Sequence, residues 1–217
     1  MFRLVSFGAL LCLSEWALFA SPITYSVIFD TSSISGTTGS LDFNFNPGPL
    51  VSQAASLQIL SFSSNGTLGG TPTLTGDVTG ALPTTLTFDN GTAFNDYFED
   101  FTFGSTISFE ASLYGPALSS PDGVSTSGST FAFSMFSDPA GTIPVLTTDT
   151  SDGFAFTANV NLDGTATAAN FSPQINAVPE PDTSGLMLVV MAVGLVTQRI
   201  RQAVRSSGNR QQFTSGQ

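Results

Sequence analysis

From Ile23 onward the chain alternates apolar and polar residues in short runs. A period of two places every second side chain on the same face of a strand. Leu41, Phe43 and Phe45 alternate with Asp42 and Asn44. The same period recurs at Leu57-Gln58-Ile59, Leu86-Thr87-Phe88, Phe101-Thr102-Phe103, Ile107-Ser108-Phe109, Phe131-Ala132-Phe133 with Met135, and Phe154-Ala155-Phe156 with Val160. These runs predict about nine or ten strands. Asn65-Gly66, Asn90-Gly91, Asp122-Gly123, Asp152-Gly153 and Asp163-Gly164 lie between strand-like runs. Each pairs residues that tolerate positive φ, which suits a meandering antiparallel sheet. Sixteen of the 20 Phe fall between residues 29 and 171, mostly on the apolar side of the alternation. The expectation is an all-β fold over residues 22–177, an antiparallel β-sandwich of Ig-like or jelly-roll type around a Phe core, with the strand order open.

The two ends break this pattern. Residues 1–20 carry Arg3, an apolar run broken by Ser14 and Glu15, and Ala20 before Ser21-Pro22. That is the grammar of a secretory signal peptide, and it implies export machinery and a signal peptidase as partners. At the other end, Val178-Pro179-Glu180-Pro181 precedes an apolar stretch, predicted as a transmembrane helix over about residues 184–198. Arg199, Arg201 and Arg205 follow, and residues 206–217 form a polar tail that includes Arg210. An apolar run of about 13–15 residues at about 1.5 Å each spans only about 20 Å, a marginal crossing of the bilayer. Arg residues beyond it would stay on the cytoplasmic side and place the preceding domain outside. Pro179 and Pro181 stop the helix from extending outward, so the chain is expected to leave the membrane extended.

The order Pro-Glu-Pro, apolar helix and Arg cluster over residues 178–205 resembles the PEP-CTERM sorting signal. The middle section, with Phe88-Asp89-Asn90-Gly91-Thr92 and Asp96-Tyr97-Phe98, is similar to a domain associated with such proteins. The resemblance implies a temporary inner-membrane anchor recognised and removed by an exosortase-type transpeptidase. It also implies a destination at the cell surface or in the exopolysaccharide matrix of a diderm bacterium.

Charge sharpens the contrast between the ends and the middle. The chain has a formal net charge of −11, with five Arg, no Lys and no His. All five Arg lie in the terminal segments, whereas thirteen carboxylates run from Asp30 to Asp163 with no cationic side chain among them. Side-chain salt bridges within that segment are therefore impossible. Nucleic acid is excluded as a partner, because binding phosphates requires Lys or Arg. Cys12 is the only Cys and lies in the apolar N-terminal run, so the exported domain has no disulfide.

Catalytic chemistry is sparse. Without His or Lys, no base is available for a Ser nucleophile, and without His or Cys the usual transition-metal ligands are missing. Paired carboxylates remain, and Asp96, Glu99, Asp100 and Glu110 form the densest acidic group, the only candidates for glycosidase chemistry. The domain is expected to be non-enzymatic and to need no cofactor, with calcium as the one ion its chemistry leaves open. The calcium candidates are Asp149, Asp152, Asn161 and Asp163, which flank the Phe154 run. The primary expectation is a structural or adhesive surface protein. The alternative is a carbohydrate-binding module that contacts exopolysaccharide through Tyr97 or Tyr114.

Overall fold

The computed structural model describes residues 21–180. The predicted signal peptide, the transmembrane helix, Pro181, Arg199, Arg201, Arg205 and the polar tail lie outside the described residues. Among the described residues, no helix is long and apolar enough to cross a membrane.

The described chain is all-β. It begins with β1 (Ile23–Asp30), β2 (Thr38–Pro47), β3 (Ser56–Ser64), β4 (Thr67–Leu68), β5 (Thr73–Thr75) and β6 (Val78–Thr79). It continues with β7 (Leu86–Asp89), β8 (Asp96–Thr102), β9 (Thr106–Tyr114), β10 (Ser129–Phe136), β11 (Phe154–Val160), β12 (Ala166–Asn170) and β13 (Ile175–Pro179). One helical turn, α1 (Pro116–Ser119), lies between β9 and β10. These strands form two antiparallel sheets, ordered β13-β1-β9-β3-β7-β6 and β12-β11-β10-β2-β8-β4, with β5 also paired to β8.

The pairing is nested. β1 pairs with β9, β2 with β8, and β3 with β7, as though one long ribbon doubled back near β4 and β5 and was then rolled up. β10, β11 and β12 extend the second sheet beyond β2, and β13 extends the first beyond β1. This order departs from the expected meander. Of the predicted turns, Asp163-Gly164 closes a hairpin between neighbouring strands, β11 and β12, where Gly164 has φ +81°. Asn65-Gly66, Asn90-Gly91 and Asp122-Gly123 lie instead where the chain crosses from one sheet to the other.

The inner faces of the two sheets meet through aromatic rings. Phe43 of β2 lies 5.2 Å from Phe109 of β9 and 4.6 Å from Phe133 of β10. Phe29 meets Phe133 at 5.2 Å, and Tyr25 meets Phe156 at 6.1 Å. A register shift between Leu60 and Ser63 in β3, with Ser61 at φ +55°, resets the alternation so that Phe62 turns inward after Leu57 and Ile59. Gly39 sits where a Cβ would stand 1.9 Å from the Phe136 carbonyl oxygen, so β2 passes there only without a side chain.

β13 carries the start of the predicted sorting motif. Val178 and Pro179 pair with Ser26 and Tyr25, and Glu180 N donates to Thr24 O at 2.9 Å. The folded unit thus runs past the expected boundary at 177. Pro179 is tolerated because β13 is an edge strand, where a missing N–H leaves no ladder bond unmade. Val178 and Pro179 are extended and laid against the domain.

Phe43 touches rings from both sheets, so the Phe43→Ala variant is expected to lose about 3–5 kcal/mol of stability. A urea titration should show a lower midpoint at unchanged slope. A midpoint within error of wild type would contradict this account of the core.

Candidate functional site

The same alternation that sends Leu41, Phe43 and Phe45 inward sends Asp42, Asn44 and Asn46 to the outer face of the seven-stranded sheet. β8 follows suit: Tyr97, Glu99 and Phe101 are buried, while Asp96 joins the outer set. Register then brings residues distant in sequence together. Asn44 stands opposite Asp96, and Asp42 stands between Phe98 on β8 and Ser134 on β10. Asp96 and Asn44 are each 9% exposed, Ser134 is 1% exposed, and Asp42 is partly open to solvent.

The carboxyl groups of Asp42 and Asp96 are in hydrogen-bond contact. Burial raises both above the ordinary carboxylate range, and the neighbouring Asp96 adds to the rise at Asp42, which is pushed up to about 9 from 3.8. Two acids this close share a proton near neutral pH. Asn44 Nδ2 donates to Asp42 Oδ1 at 3.5 Å, and Asn46 Nδ2 donates to Asn44 Oδ1 at 3.4 Å. The hydroxyl of Ser134 is buried and has no hydrogen-bond partner among the described residues. The arrangement is a cluster of carboxyl, amide and hydroxyl groups drawn from three adjacent strands.

The acidic group expected from the sequence does not form one site. Asp96 belongs to the outer cluster, Asp100 is exposed, Glu110 lies on the other sheet, and Glu99 is buried at 2% exposure. Carboxyls in direct contact also lack the gap of about 5 Å or more that a glycosidase leaves for its sugar.

Tyr97 corrects a second expectation. It is fully buried, because its position on β8 faces the core, and its ring packs against Phe43 at 6.3 Å. Its hydroxyl donates to Glu99 Oε2 at 2.5 Å and accepts from Leu82 N at 3.1 Å, while Glu99 Oε1 accepts from Gly70 N at 2.8 Å. Burial, then the Glu99 carboxylate, raises the Tyr97 phenol. The pair ties two loops to the core and presents no aromatic face to a sugar. Tyr114 remains partly exposed at the end of β9.

The four calcium candidates are likewise separated. Asp149 and Asp152 precede β11, and Asn161 and Asp163 follow it, so the strand Phe154–Val160 stands between the two pairs. A strand of that length spans about 20 Å. Asp149 already accepts from the backbone N–H groups of Ser151, Asp152 and Phe154, and Asp163 accepts from the N–H and hydroxyl of Thr165. Among the described residues, no group of three or more His, Cys, Asp or Glu is placed to hold a metal ion.

Asp42, Asn44 and Ser134 were missed as candidates because each reads simply as the polar partner in an alternating strand. A signal was present in Asp42, since Asp is depleted in strand interiors. No protein family, curated protein or solved structure matches this chain.

A carboxyl raised in the folded state contributes stability that is complete below pH 3.8 and is lost as pH rises towards about 9. Asp30, Asp122, Asp149 and Asp163 act in the opposite sense. Hydrogen bonds from Ser32, Ser125, Ser151 and Thr165 hold them low, so their contribution is present above the ordinary pKa of 3.8 and lost as pH falls. With chelator present, Asp42→Asn is expected to raise the melting midpoint by about 2–6 °C at pH 8. That gain should shrink towards zero at pH 4, and an equal gain at both values would refute the shared-proton account.

Proposed function

We propose that the chain is an exported cell-surface or extracellular-matrix protein, delivered by a PEP-CTERM-type tail and built around a jelly-roll β-sandwich with a structural or adhesive, non-enzymatic role. The observation that carries the non-enzymatic reading is how its carboxylates are used. Asp122 accepts from Val124 N, Ser125 N and Ser125 Oγ, and Asp138 accepts from Thr142 N, Thr142 Oγ1 and Ile143 N. With Asp30, Asp149 and Asp163, these acids brace loops. The nested pairs β1·β9, β2·β8 and β3·β7 favour a jelly-roll over an Ig-like order.

Delivery rests on the motif Val178-Pro179-Glu180-Pro181, the apolar stretch and the Arg residues after it. In this reading the tail holds the protein at the inner membrane until an exosortase-type transpeptidase acts, and the domain then reaches the surface of a diderm bacterium. Intact-mass measurement of protein recovered from the cell surface of such a host should show both ends removed. Recovery from the cytosol with Met1 and Gln217 retained would sink the proposal.

A second reading, carbohydrate binding, is favoured by an open cleft of about 300 Å³ lined by Phe62, Ser63, Ser64, Leu68, Pro83 and Phe101. Its size matches the lower end of small-ligand pockets, and the Ser63 and Ser64 hydroxyls beside the accessible Leu68 and Pro83 side chains suit a neutral sugar. On a glycan array this reading expects saturable binding of a neutral exopolysaccharide fragment, weakened by Leu68→Arg, with Tyr114→Ala testing the exposed tyrosine separately. An array without binding at millimolar glycan would leave the structural role alone.

A further inference from the structure

We propose that the outer face of the seven-stranded sheet carries a site for a divalent cation of the calcium class, formed by the Asp42 and Asp96 carboxylates, the Asn44 side-chain oxygen and the Ser134 hydroxyl. The inference stands apart from the delivery reading.

Two independent observations converge there. The first is the meeting of two carboxyl groups in a segment that contains no cationic side chain. Like charges in contact need a positive charge or a proton between them. Nothing else on the described chain supplies that charge. The second is Ser134. It is directly opposed to Asp42, and directly opposed residues of an antiparallel pair stand on the same face with Cβ atoms about 4.5–5.5 Å apart. Ser134 is 1% exposed, and its hydroxyl has no hydrogen-bond partner among the described residues. An oxygen left bare in so buried a place is destabilising, and the penalty is removed when it, or a water it holds, meets a cation.

Asn44 completes the set. Its present contacts, 3.5 Å to Asp42 and 3.4 Å to Asn46, are at the long limit of hydrogen bonding. Turning the amide to present Oδ1 towards Asp42 therefore gives up little. The donors are all hard oxygens, which suits calcium and disfavours zinc or copper. One oxygen from each of the four side chains falls short of the roughly six to eight that calcium takes, so water fills the remaining positions through the side of Asp42 open to solvent. With only two carboxylates, the site belongs with the weak extracellular ones.

The loop acids predicted from the sequence are poorer ligands for a physical reason. The Asp149 and Asp163 oxygens already accept backbone N–H groups, which a cation would have to displace. The cluster on β2, β8 and β10 has no such donors beyond Asn44.

The test uses the full chain in mild detergent, stripped with EDTA and titrated calorimetrically with CaCl₂ and, separately, MgCl₂. One equivalent of calcium is expected, with a dissociation constant of about 10⁻⁴–10⁻³ M. Asp42→Asn and Asp96→Asn should each weaken it at least tenfold and Ser134→Ala a few-fold, whereas Asp149→Asn and Asp163→Asn should leave it unchanged. Near-UV circular dichroism checks that each variant is folded, and Ser134→Ala, the mildest change, carries the test if an Asn variant is not. Absence of saturable binding by about 10 mM, well above the range of extracellular sites, would overturn the proposal. So would full affinity in the Asp42→Asn, Asp96→Asn double variant or in Ser134→Ala, or magnesium binding as tightly as calcium.

Discussion

Cohesion in this protein depends on contact between aromatic rings across two sheets. With no Lys, Arg or His between residues 22 and 178, attraction between opposite charges is unavailable to the domain, and the absence of Cys there removes cross-links as well. What remains is burial of apolar area and backbone pairing. Phe43 is central to this because it meets Phe62 and Phe109 of one sheet and Tyr97, Phe131 and Phe133 of the other. Edge-to-face and tilted arrangements dominate these contacts, as the ring quadrupole favours.

Uncompensated negative charge is the cost of that composition, and the fold handles it in two ways. Most loop carboxylates turn back onto the N–H groups of the next few residues, where partial positive charge replaces a cation. Such acids are held in their ionised form and stiffen the connections between strands. The Asp42–Asp96 pair is different, because two acids meet at a place where the chain offers them only an amide and a hydroxyl. A proton or an external ion must complete that place.

Rolling up a doubled ribbon explains why that place exists. Nested pairing brings β2 beside β8, residues more than fifty positions apart, and β10 then adds to the far side of β2. β13 closes the opposite sheet with Val178 and Pro179, the first residues of the proposed sorting motif. The extended segment proposed to precede a membrane anchor is therefore also the last strand of the described residues.

Sequence alone determined the strands with clear alternation, β2, β3 and β7 to β11, the inward set of most of their Phe, Leu and Val, and the lack of His or Cys for a triad or transition-metal site, because a two-residue period and residue chemistry are local properties. The short β4, β5 and β6 carry too few residues to show a period, so the thirteen strands exceed the nine or ten expected. The sequence also located the hairpin at Asp163-Gly164, where a residue and its turn partner are adjacent. Tertiary structure alone decided which strands became neighbours, that Tyr97 and Glu99 face the core, that the β11-flanking acids stay apart, and that Asp42, Asn44, Asp96 and Ser134 share one face. Alternation tells which residues point the same way along one strand, but register between strands is set by the packing of the whole core, and no short stretch of sequence encodes it.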